Sequence, residues 1–101
     1  MKISMIPLAR REMLRAALWY DRRQAGLGDR FLDDIRSSLL SVLDFPAAFP
    51  PIDAVYRRKL LDVFPYALIY RTDNDEIAVV AVANYKRRPN YWRDRVKPST
   101  A

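Results

Sequence analysis

Two cationic clusters and one aromatic-basic run carry the chemistry this chain can offer: Arg57-Arg58-Lys59, Lys86-Arg87-Arg88, and Tyr91, Trp92 and Arg95. An arginine holds its proton at neutral pH, so it clamps or stabilises an anion and does not act as a base. Guanidinium forks suit phosphate or carboxylate, and flat rings suit stacking. The chain has no cysteine and no histidine, which excludes disulfides, thiol chemistry, the common zinc sites and any imidazole base. The acids are scattered. Asp33-Asp34 falls on a predicted helix, while Asp73, Asp75 and Glu76 fall on a predicted turn that lacks the ligand pattern of a calcium loop. There is no glycine-rich phosphate loop and no serine elbow, and the sequence calls for no cofactor and no metal.

The clusters need elements to position them. The longest apolar run, Ile77 to Ala83, reads as a strand buried on both faces and therefore central in its sheet, spanning Glu76 to Asn84. It mounts Lys86, Arg87 and Arg88 at its end, where residues on a rigid scaffold favour function over a merely solvated charge run. A strand from Val55 to Asp62 carries Arg57, Arg58 and Lys59; alternation sends Arg58 to one face and Arg57 with Lys59 to the other. Such charge density inside a strand fits a bound anion, or an edge strand protected from aggregation. Tyr66 to Thr72 reads as a further strand, with Phe64-Pro65 at the bend before it and a polar turn after it. For Trp92 the packing role, a lid on the core, is the expectation; Tyr91 fits packing and partner contact equally.

Upstream, Lys2 to Ile6 alternates as a first strand, and Pro7 is suited to open a helix. Ala9, Met13, Ala16, Ala17 and Tyr20 recur at helical spacing to about Gln24, and the hinge Ala25-Gly26-Leu27-Gly28 stops that helix. Asp29 offers a cap for a second helix, whose stripe is Leu27, Phe31, Ile35, Leu39 and Val42. The predicted fold is α+β, ordered β-α-α-β-β-β, with the helical hairpin on one face of a mostly antiparallel sheet. The other sheet face is then apolar and uncovered, which implies a bound partner. Residues 1–96 make a single domain and 97–101 a loose tail.

The chain has 101 residues, half of them hydrophobic and 30% charged, with a net charge of +6, a globular composition drawn toward anionic partners. No apolar run reaches spanning length and no signal-peptide core follows Met1, so the expected location is cytoplasmic with no membrane contact.

In this order the segments resemble the RelE/ParE superfamily of bacterial toxin–antitoxin toxins, most of all its ParE or plasmid-stabilisation branch. The resemblance rests on Ala25-Gly26-Leu27-Gly28-Asp29-Arg30-Phe31-Leu32, Phe49-Pro50, Tyr56-Arg57-Arg58-Lys59-Leu60-Leu61, Phe64 to Tyr70, and Arg87 to Arg95. It implies a small toxin silenced by a cognate antitoxin, with operator DNA contacted only through that antitoxin. ParE-like members poison DNA gyrase, and RelE-like members cleave messenger RNA on the ribosome with arginine, lysine and tyrosine. On the second pattern Arg87, Arg88, Tyr91 and Lys59 would be catalytic. Ala67, however, stands where those nucleases tend to carry arginine, and Asn84 stands where ParE-like chains often carry histidine. The resemblance therefore favours a gyrase inhibitor over an endoribonuclease, with a non-toxic nucleic-acid-binding domain as a third possibility. Partner contacts are expected from Arg57, Arg58, Lys59, Tyr66, Arg87, Arg88, Tyr91 and Arg95. The spatial expectation is that the cations near Arg57 and near Arg87 converge beside an uncovered hydrophobic groove.

Overall fold

Pro7 decides the architecture early. Its fixed φ and missing N–H end a four-residue strand, β1 (Lys2–Met5), and open helix α1 (Pro7–Arg23). The structure, a computed structural model that describes residues 1–95, continues with α2 (Leu27–Asp44), β2 (Tyr56–Leu60), β3 (Tyr66–Asp73), β4 (Glu76–Asn84) and a 3-10 turn, Arg93–Arg95. The order β-α-α-β-β-β is the one expected. The tail predicted for 97–101 lies outside the described residues. Among the described residues, no helix is long and apolar enough to cross a membrane.

The four strands form one sheet in the order β1-β4-β3-β2. β1 runs parallel to β4, and the other neighbours are antiparallel. The apolar run is therefore an interior strand. Asn74 and Asp75, both with positive φ (49° and 63°), close the β3–β4 hairpin between Asp73 and Glu76, a two-residue turn matched to strand twist.

Strict alternation fails at one point. Ile69 pairs with Ala81 but Tyr70 pairs with Val79, so Val80 is an extra residue in β4. The bulge shifts the phase, so that Val79 and Val82 both face the helices while Val80 and Ala81 both join the opposite face. On the helical side Ala9, Ala16, Phe31, Ile35 and Val42 meet Leu68, Tyr70, Ile77 and Val79 in the main core. The helix stripes are those the spacing predicts.

Two details of the hairpin differ from expectation. Asp29 does not cap α2; the cap position is Gly26 at φ 87°, with no side-chain bond, and Asp29 sits inside the first turn. The orphan amide of Gly28 is instead held by Asp21 of α1 at 2.6 Å. A Cβ at Gly28 would collide with the carbonyl oxygen of Ala17, so glycine lets the helices close on each other.

The second sheet face also differs. Tyr56, Ala67, Ile69, Val80, Ala81 and Trp92 form their own buried cluster, joined by Ile52. The chain covers this face itself with Ile52 from the segment before β2 and with Tyr91 and Trp92, so it is not an open apolar surface awaiting a partner. Trp92, 4% exposed and edge-on to Tyr56 at 4.7 Å, is the lid its composition suggests.

Asp34, on α2, ties the helices to the β2–β3 connection. Its carboxylate accepts the N–H groups of Asp62 (3.1 Å), Val63 (2.9 Å) and Phe64 (2.9 Å). An unsatisfied buried donor costs about 1–3 kcal/mol. Asp34→Ala strands three of them, some within reach of water, so a loss of about 3 kcal/mol is expected in urea unfolding, with Asp34→Asn intermediate. A midpoint unchanged in Asp34→Ala would show that water replaces the carboxylate without penalty.

Candidate functional site: two basic surfaces around Arg87

β1 stops at Met5, so β4 loses its parallel neighbour after the bond from the Ile6 amide to the Val79 carbonyl at 3.0 Å. Beyond that point two side chains occupy the edge. The Glu12 carboxylate accepts the Val82 N–H at 3.1 Å, and the Arg95 guanidinium donates to the Val80 carbonyl at 3.2 Å. A residue of a parallel strand opposite Ala81 would offer the same two groups, one acceptor and one donor. The pair is itself bidentate, at 2.6 and 3.0 Å, and its side chains are only 15% and 14% exposed. The Tyr91 hydroxyl donates to the second Glu12 oxygen. Burial, then this bond, pushes the Tyr91 phenol well above its usual range, and the bond to Glu12 pushes Arg95 up.

The strap from Asn90 to Arg95 thus lies locked along β4. Its other tether is Asp53, which accepts the amides of Val55 (2.8 Å) and Tyr56 (2.9 Å) and the Arg93 guanidinium at 2.7 Å. Between the end of β4 and the strap, Asn84 turns the chain: its side chain accepts the Lys86 N–H at 2.9 Å and its carbonyl the Arg87 N–H at 3.0 Å. This aims the basic run outward. The Arg87 guanidinium stacks over the Tyr91 ring, 4.0 Å from its centroid.

Arg87, Asn84 and Tyr91 form a wall between two concavities. On the helical side a groove of about 630 Å³ runs between α1 and the strand ends, with Arg15, Lys86 and Arg87 as its cations and Trp19, Tyr20 and Tyr66 as its rings. On the opposite side a smaller pocket of about 180 Å³ is flanked by Arg58, Arg87 and Arg88 over Ala67, Ile69 and Ala83.

Arg58 therefore converges with Arg87 and Arg88, whereas Arg57 and Lys59 do not. Arg57 donates to the Phe49 carbonyl at 2.7 Å. Lys59 donates to the Leu60 carbonyl at 2.6 Å, pairs with Asp62 and lies over the Phe49 ring. Both belong to the face away from Arg58, as alternation requires. Tyr66 lines the helical groove against Phe31 at 5.1 Å, and Tyr91 and Arg95 spend their polar groups on Glu12. Among the described residues no group of three or more carboxylates is placed to hold a metal ion.

Sequence reasoning passed over Glu12, Asp53, Arg15 and Trp19. For Glu12 a signal existed: it lies three residues after Ala9 and four before Ala16, on the stripe α1 buries. An acid there needs partners, and its partners lie some 70 and more residues away.

A model of the family described as ParE toxin of type II toxin-antitoxin system, parDE, matches residues 3–89. The chain belongs to this family. Its fold agrees: a solved structure titled chromosomal ParDE TA system from P. aeruginosa matches with a TM-score of 0.63 at 13% identity, covering 83% of this chain and 95% of that one. No curated protein matches it by sequence. The family match ends at residue 89, so the strap that carries Tyr91, Trp92 and Arg95 follows the matched part of this ParE-family chain.

The two backbone bonds to Asp53, then Arg93, hold its carboxyl down to about 2 from an ordinary 3.8. A carboxyl lowered by folding stabilises the fold fully above its unfolded value and loses that contribution as pH falls through the folded one. The strap tether should hold down to about pH 2, read as the NMR titration midpoint of Asp53, and Arg93→Ala should move that midpoint upward. A midpoint near 3.8 in the unaltered chain would show that the three bonds do not form in solution.

Proposed function

We propose that this chain is the toxin of a type II module, that it inhibits DNA gyrase, and that a cognate antitoxin silences it by binding along the helical groove. Membership of the ParE family supports the toxin assignment and implies the antitoxin. The observation that carries the groove assignment is its mixed lining. Arg15, Lys86 and Arg87 stand beside Trp19, which is 50% exposed, and the groove's one acid, Glu12, is already engaged by Tyr91, Arg95 and the Val82 amide. Such a surface suits an amphipathic segment bearing carboxylates on one side and apolar groups on the other.

Catalysis of RNA cleavage needs an acceptor for the 2′-hydroxyl proton beside the arginines. The Tyr91 phenol is pushed up and donates to Glu12, and Lys59 lies on the face away from Arg58. These placements favour inhibition by binding over an endoribonuclease.

A supercoiling assay with purified gyrase tests the proposal. The chain should abolish supercoiling and trap cleaved DNA, and the antitoxin should restore activity. Reversing both groove walls with Arg15→Glu and Arg87→Glu should weaken antitoxin capture at least about tenfold. Full supercoiling at excess toxin, together with cuts in translated messages, would overturn gyrase as the target.

A further inference from the structure

The smaller pocket, on the sheet face opposite the helices, has a composition the antitoxin groove does not need. Arg58 comes from β2, and Arg87 and Arg88 from the turn after β4. No carboxylate lines the pocket, and among the described residues none of the three makes an ion pair. Three permanent charges at one small mouth repel each other, and no carboxylate among the described residues pairs with any of them to offset that repulsion. An anion would.

The anion's surroundings narrow its class. Ala83, half-buried at the floor, presents only a methyl group there, so a flat group can approach the sheet at that point. Arg87 is braced by its stack on Tyr91, leaving the edge of its guanidinium fork available to phosphate oxygens. Tyr85, 53% exposed at the rim, is the one ring of this pocket, among the described residues, without a cation over its face. Clustered guanidiniums beside a bare ring are what a single strand engages, phosphate on one and base on the other. At about 180 Å³ the pocket suits one phosphate with its sugar and has no room for a duplex.

We propose that this pocket is a single-strand nucleic-acid subsite, in which Arg58, Arg87 and Arg88 hold a backbone phosphate and Tyr85 stacks on the neighbouring base. The contact is direct, distinct from operator binding through an antitoxin, and it does not rest on gyrase being the target.

Fluorescence anisotropy with labelled twelve-nucleotide oligo(U) and oligo(dT) across a salt series tests it, using the full chain. Arg58→Gln and Arg88→Gln should each weaken binding about tenfold or more and flatten the salt slope by roughly 0.7 for each phosphate no longer neutralised. Tyr85→Ala should cost roughly 5–150-fold. Arg11→Gln, which removes the same charge from the exposed side of α1, should leave binding within about twofold, with far-UV spectra showing all variants folded. Tighter oligo(U) would add a 2′-hydroxyl contact to the subsite, and equal affinities would support phosphate and base recognition alone. Absent binding, equal losses in Arg11→Gln and Arg58→Gln, or displacement by poly-glutamate at lower charge concentration than by oligonucleotide would each overturn the proposal.

Discussion

One carboxylate, Glu12, holds together parts of the chain that no backbone ladder joins. β1 is short because Pro7 follows it, and its shortness leaves β4 without a strand on that edge beyond Val79, while β3 continues on the other. Unpaired strand groups left in a partly buried setting are costly. Glu12 and Arg95 fill the vacancy, one accepting where a strand would accept and the other donating where it would donate. Because Arg95 and Tyr91 come from the end of the described chain, satisfying the sheet edge also fixes the strap across the second sheet face. Removing one partner of an enclosed ion pair costs about 3–5 kcal/mol, and partial exposure here lowers that figure.

The strap and the bulge at Val80 together explain why the cations divide as they do. The bulge keeps Val79 and Val82 toward the helices and leaves Val80 and Ala81 for the opposite face, where Trp92 covers them. The same strap stands Tyr91 upright as a wall. Arg87 leans on it and serves both the groove beside α1 and the pocket beside Arg58. In this ParE-family chain the two basic surfaces therefore lie on opposite sides of one wall.

Much of this was legible in the sequence. The nine-residue span of β4 followed from its unbroken apolar run, and the helix stripes from spacings at three and four. The split of Arg58 from Arg57 and Lys59 needed only strand alternation. Interactions between distant residues were not legible. Composition suggests an open second face because nothing local says that Ile52 and Trp92 will return to cover it. Asp29 resembled a cap because the αL conformation that Gly26 supplies, and the reach of Asp21 to Gly28, are properties of the hairpin and not of a four-residue window. The bulge likewise has no signature within Val79-Val80-Ala81-Val82, where every residue is apolar and either face would accept it.

Hydrogen exchange at the Val82 amide in the unaltered chain and in Glu12→Ala tests most directly whether this carboxylate stands in for a strand. Protection at Val82 should fall on the order of 30–100-fold, with the amides of Arg93 and Arg95 opening alongside it, while the main-core amides of β3 keep theirs. Protection at Val82 that survives the loss of Glu12, with the strap still closed, would contradict the account.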